Sequence, residues 1–138
     1  MITGHGHTSF TVSDLERSIA FYTQKLAFRV DRRAEAKGAA IEQVIGIPGA
    51  HLLIAHLLLG DFDLELIQYV APSGVKLDTR TSNVGAAHIA FYTDDLMKSY
   101  QEMKAQGVRF LGSVTEGGPR GVYFQDPDGI ALELVQQR

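Results

Sequence analysis

The chain has no cysteine. That excludes disulfides and thiolate metal sites, and it fits a reducing, cytoplasmic setting. A positive charge balance is missing as well: the net charge of -3 and the pI near 5.9 give no electrostatic case for a nucleic-acid partner. No long apolar run is present. The longest, Leu52 to Leu59, is broken by His56 and falls far short of the ~20 residues a membrane helix needs, so no membrane partner is expected. Met1 to Ser9 is polar and holds two histidines, so no signal sequence is expected to open the chain. What remains is 138 residues, 45% of them hydrophobic, enough for one folded domain or a duplicated one.

Duplication is written in the sequence. Ile130 to Val135 places Glu133 inside a run of β-type apolar residues, just after the turn Asp126-Pro127-Asp128-Gly129. The same phrase occurs at Asp63 to Gln68, with Glu65 in the same place. Leu-Glu-Leu-Ile-Gln and Leu-Glu-Leu-Val-Gln differ at one position. A carboxylate in such a strand is costly unless something pairs with it.

In chain order, residues 5 to 12 read as a strand, with Phe10 and Val12 on one face and His5, His7, Ser9 and Thr11 on the other. Ser13-Asp-Leu-Glu16 is a capping box, so a helix is expected to start at Ser13, with Leu15, Ile19, Tyr22 and Leu26 as its buried stripe. Ala27 to Asp31 reads as a second strand, Arg32 to Gly38 as an exposed charged stretch, and Ala39 to Ile45 as a strand or a short helical turn. Leu52 to Leu59 and Phe62 to Val70 form a hairpin about Gly60-Asp61. Residues 71 to 85 are a linker. Ala87 to Tyr92 is then a strand, Thr93 or Asp94 caps a helix with the stripe Leu96, Tyr100 and Met103, and Gly107 stops it. Val108 to Leu111 is a short strand. Val122 to Gln125 and Ile130 to Gln136 form a final hairpin after the glycine-rich loop 116–121. His7 stands seven residues before Asp14, and His88 seven before Asp95. Each half therefore carries a His on its first strand and a Glu on its last.

Taken singly, a strand His or Glu is most often a hydrogen-bonded or solvated group. Taken together, His7, Glu65, His88 and Glu133 are two imidazoles and two carboxylates at symmetric places. Four such strands curling together would bring them to one centre. That donor set suits one divalent ion of the zinc, nickel, cobalt, manganese or iron group. His5 shares the His7 face and is a candidate for the surroundings of the site. His51 and His56 have no partner in the repeat and are read as structural.

The phrases from His7 to Tyr22, from His88 to Asp95, and from Tyr123 to Glu133 (Tyr-Phe-Gln-Asp-Pro-Asp-Gly-Ile-Ala-Leu-Glu) resemble the vicinal oxygen chelate superfamily of glyoxalase I, methylmalonyl-CoA epimerase, extradiol dioxygenases, and fosfomycin and bleomycin resistance proteins. The resemblance covers essentially the whole chain. It implies an α+β fold of two paired βαβββ modules, about residues 5–70 and 86–138, forming a cupped mixed sheet around the metal with helices outside. It also implies a homodimer. A His-Glu-His-Glu set resembles glyoxalase I and the epimerase group; ring-cleaving dioxygenases use two His and one Glu, and residues 112–121 lack the His of their signature. Glyoxalase I places an Arg where this chain has Thr11 and an Asn where it has Tyr69, which argues against a glutathione adduct as substrate.

The expected activity is that of a metal-dependent lyase or isomerase, with the metal stabilising an enediolate or enolate of a small carbonyl or thioester substrate. Glu133 or Glu65 could serve as base by leaving the metal, as in glyoxalase I. Glu42 is a separate candidate, since the epimerase group places a non-ligand Glu upstream of this strand. Arg120, in the glycine loop, is a candidate for a substrate carboxylate or phosphate. Tyr69 and Tyr92 are expected to face the cavity and bind substrate. An iron-dependent dioxygenase and a non-catalytic small-molecule binding protein are the competing readings.

Overall fold

The computed structural model describes residues 1–138, which divide into two compact units, Met1–Val75 and Lys76–Arg138. The first unit runs β1 (Thr8–Thr11), α1 (Leu15–Lys25), β2 (Arg29–Lys37), α2 (Ala39–Ile45), β3 (His51–Leu59) and β4 (Phe62–Ala71). Its four-stranded sheet has the order β1-β4-β3-β2. The second unit runs β5 (Ile89–Thr93), α3 (Leu96–Ala105), β6 (Arg109–Phe110), β7 (Gly121–Gln125) and β8 (Ala131–Gln136), with the sheet order β5-β8-β7-β6. In each sheet the first strand lies parallel to the last, and the remaining pairs are antiparallel. The α+β class and the repeated order of elements therefore stand.

A parallel pair cannot be closed by a tight turn and needs a crossover, which a helix supplies. That is the place of α1 and α3. The α1 stripe of Leu15, Ser18, Ile19 and Tyr22 is buried, and the helix lies against β3 and β4. The α3 stripe is Leu96, Tyr100 and Met103, as the spacing predicts. Each stripe meets the apolar face of its own sheet. Leu57, Ala55, Leu64 and Leu66 are fully buried in the first unit, and Phe124 and Leu132 in the second.

Several local expectations are corrected. The α1 cap is Asp14, not Ser13: Asp14 is extended, and its carboxylate accepts from the Arg17 N–H at 3.0 Å. Ser13 instead accepts from the Arg17 guanidinium, and Glu16 pairs with Arg33 on β2. The α3 cap is Asp95, which accepts from the Lys98 N–H at 2.9 Å, while the Thr93 hydroxyl bonds that of Ser99. The charged stretch after Asp31 is strand, because β2 pairs with β3 from Arg29 to Lys37 as the exposed edge of the sheet. Charged side chains suit such an edge, since they discourage pairing with another chain. Residues 39–45 are helical and end on Gly46, whose φ of +71° closes the last turn in the left-handed conformation.

The repeated phrase also explains its own last letter. Gln68 accepts from the Leu15 N–H at 2.7 Å, and Gln136 accepts from the Leu96 N–H at 2.8 Å. Each Glu-bearing strand thus holds, three residues on, the first turn of its unit's helix. An orphan N–H at a helix start is left unpaired without such an acceptor. Gln68→Leu and Gln136→Leu are each expected to lower unfolding stability by about 1 kcal/mol. Urea denaturation of the two variants checks this, and unchanged midpoints would refute the clamp.

Candidate metal centre

The site-bearing face of each sheet is the one turned away from its helix. On β4, Leu64 and Leu66 point into the core, so alternation sends Asp63, Glu65, Ile67 and Tyr69 the other way. Parallel pairing sets Ser9 beside Glu65, and His7, two residues earlier, falls on the same face. The His7 Nε2 lies 3.4 Å from Glu65 Oε1. The second unit repeats the arrangement. Ala90 pairs with Glu133, and the His88 Nε2 lies 3.3 Å from Glu133 Oε2. Each unit therefore joins its own expected His to its own expected Glu.

The antiparallel neighbour of each Glu is where the halves part. In the first unit it is His56, directly opposite Glu65. Its Nε2 is 3.1 Å from Glu65 Oε2, and its Nδ1 is 2.8 and 3.1 Å from the two oxygens of Asp63. The Arg32 guanidinium stands 3.7 Å from Asp63. His56 is buried and meets the His7 ring edge-to-face, 5.4 Å between centroids. The ligand atoms of His7, His56 and Glu65 all lie within 4.8 Å of one another, so the three could hold a metal ion. His56, read from the sequence as structural, thus stands within this candidate cluster. His51 does pair structurally, with Glu35 at 2.6 Å.

In the second unit the neighbour of Glu133 is Tyr123, whose hydroxyl is 3.3 Å from His88 Nε2 and whose ring lies 4.8 Å from that imidazole. Beside it, a Cβ added at Gly121 would come within 3.0 Å of Glu133 Oε1 and 3.2 Å of the Leu134 carbonyl. The missing side chain is what lets the carboxylate lie over that strand.

The chain as a whole has a family counterpart. The family model described as Glyoxalase/Bleomycin resistance protein/Dioxygenase superfamily matches residues 4–134. The chain belongs to this superfamily. Among relatives of the glyoxalase superfamily, a 2-epi-5-epi-valiolone epimerase from Actinomyces sp is 34% identical, over 94% of this chain and 76% of that protein. A lactoylglutathione lyase from Neisseria meningitidis serogroup B is 28% identical, over 96% of this chain and 89% of its own length. The crystal structure of a glyoxalase family protein from Bacillus cereus superposes with a TM-score of 0.81, covering 99% of this chain and 95% of that one; at 21% identity it speaks for the fold.

The other expected site residues are placed as follows. Tyr69 shares the Glu65 face of β4 by alternation. Tyr92 lies on the Ala90 face of β5, yet its side chain is 77% exposed. Arg120 donates to the carbonyls of Gln136 and Gln137 at 3.3 and 3.0 Å, holding the end of β8. Glu42 accepts from the Gly49 N–H at 3.0 Å and ties α2 to the following turn. His5 is exposed and reaches the Thr8 hydroxyl.

The Gly121 contact generates a test. Gly121→Ala is expected to push the Glu133 carboxylate aside and weaken metal binding about tenfold, a typical cost for disturbing a ligand's surroundings. Titration calorimetry with zinc, beside a thermal melt that stays within a few degrees of wild type, checks it. Unchanged affinity would show that Glu133 does not need the space.

Proposed function

We propose that this protein is a divalent-metal-dependent isomerase of the epimerase type, acting on a small hydroxylated carbonyl compound. One observation carries the reading: a His–Glu pair recurs at the same register in both units, His7 with Glu65 and His88 with Glu133. In this reading both pairs serve one zinc, nickel, cobalt, manganese or iron ion, whether one chain or two copies supply them. The donors fit such an ion. Imidazole and carboxylate are its ordinary ligands, and two carboxylates balance its charge.

Bound there, the ion supplies Lewis-acid polarisation of a substrate oxygen, which makes the hydrogen next to a carbonyl more acidic. The chain's own residues then move the proton. Glu65 is enclosed by His7 and His56, whereas Glu133 faces the open strand at Gly121, so Glu133 is assigned as the base. Glu42 is engaged with Gly49 and is left out of that role. Tyr69, on the Glu65 face, is assigned to substrate hydrogen bonding. A proton delivered to the other face from solvent, while Glu133 releases to solvent the one it took, inverts the centre, the outcome of an epimerase.

The 34% identical relative bears the name of an epimerase whose substrate is named as a ketone, and this favours isomerisation over the lyase reaction of the 28% identical relative. Thr11 and Tyr69, standing where glyoxalase I has Arg and Asn, point the same way. Small-molecule partners and a homodimer belong to this reading. Large apolar side chains left in solvent at Val44, Leu77, Val84 and Tyr92 give a second copy something to cover. No helix is long and apolar enough to cross a membrane.

Elemental mass spectrometry on untagged protein purified without chelators tests the site. Wild type is expected to carry roughly one metal per chain and Glu133→Ala almost none, as a four-ligand site requires. Wild type loaded with nickel, cobalt or zinc should then exchange hydrogen for deuterium beside the carbonyl of small hydroxyketones. Protein that arrives metal-free and refuses nickel, zinc and manganese would overturn the reading. Iron content with oxygen consumption would move the protein to the dioxygenases.

A further inference from the structure

His56 has no counterpart in the second unit, where Tyr123 occupies its register position. The residue is 8% exposed, and each of its ring nitrogens has a carboxylate beside it. Asp63 lies 2.8 Å from Nδ1, and an ionised carboxylate only accepts, so a proton on Nδ1 is donated to it and Nε2 is the nitrogen left for a metal. Nε2 lies 3.1 Å from Glu65 Oε2. Glu65 Oε1 faces the His7 Nε2 at 3.4 Å. Three side chains that can each offer a ligand atom thus converge on one small volume, and the carboxylate among them calls for a positive partner.

A divalent ion meets that need. Bonds of roughly 2.0–2.1 Å in tetrahedral geometry hold the ligand atoms about 3.3 Å apart; here each imidazole nitrogen is 3.1 or 3.4 Å from a Glu65 oxygen, and one ligand atom from each of the three residues lies within 4.8 Å of the others. The remaining contacts are those of a metal-binding histidine: the other ring nitrogen donates to a carboxylate, which fixes the tautomer and aims the lone pair. Asp63 fills that place, itself steadied by Arg32 at 3.7 Å.

We propose that His56 binds the divalent ion directly through Nε2, so that the first unit supplies three ligands, His7, His56 and Glu65, with Asp63 as the orienting group. The proposal rests on the metal-dependent reading above and extends its ligand set. It also gives the hairpin of β3 and β4 a specific duty. Its register brings an imidazole across from the carboxylate, where the equivalent hairpin of the second unit brings a phenol.

The test is nuclear magnetic resonance on the full chain labelled with nitrogen-15 histidine and loaded with cadmium-113. One-bond nitrogen–cadmium coupling is expected at Nε2 of both His7 and His56, and His56→Asn should remove only the second while weakening cadmium binding at least a hundredfold. The coupling is read on wild type, so the result does not hinge on how the variant folds. Coupling at His7 with none at His56, and protons on both His56 nitrogens, would overturn the proposal: His56 would then be a cation bridging two carboxylates. The broader reading fails separately. If His7 and His56 couple and His88 does not, the first-unit triad stands and the shared four-residue site falls. Cadmium that binds nowhere overturns both.

Discussion

A carboxyl group set between buried leucines is the constraint from which the architecture follows. Leu64 and Leu66 flank Glu65, and Leu132 and Leu134 flank Glu133. Strand alternation then leaves each carboxylate one direction, the face away from its helix. Enclosing a charge costs several kcal/mol unless partners replace the lost water. The partner comes from the residue just before the unit's first strand, which must therefore lie beside the Glu strand. Parallel placement demands a crossover, the crossover is α1 or α3, and the Gln three residues beyond the Glu fastens that helix by its first N–H. Carboxylate, histidine strand, helix and glutamine are thus successive consequences of one burial problem, solved twice.

How much of this the sequence discloses depends on what kind of signal each element carries. The His–Glu pairing was legible because two copies of one phrase could be laid over each other. The helix caps were within the same reach: Asp14 and Asp95 stand at equal distances from His7 and His88, and the repeat names them even though Ser13, Thr93 and Asp94 compete locally. β2 was not legible in its length, because an exposed edge strand of Arg, Asp, Glu and Lys has no apolar alternation and is defined by its pairing with β3. The exposure of Tyr92 was hidden for a related reason. Alternation tells which face a side chain takes and is silent on what covers that face.

His56 is the instructive miss. The Gly60-Asp61 turn sets Leu59 against Phe62, and three residues further along each strand His56 meets Glu65. The register was implicit in the hairpin. Looking only for repeated residues discards whatever one half has and the other lacks, and in a duplicated fold such differences are where the halves have specialised.

Those differences make the two carboxylates unequal. Glu65 is held between two imidazoles, one of them anchored by Asp63, with a side-chain exposure of 14%. Glu133 is 23% exposed and has a phenol and a glycine on the neighbouring strand. Ile54 occupies the register position in the first unit that Gly121 occupies in the second, and at Gly121 the Glu133 carboxylate takes up the place a side chain would fill. A carboxylate fixed from two sides keeps its geometry when charge in the site changes, which suits a permanent ligand. One that lies over a glycine owes its position to the missing side chain. Duplication alone would give two equal acids. A histidine in one hairpin and a glycine in the other are what make the surroundings of the two carboxylates unequal.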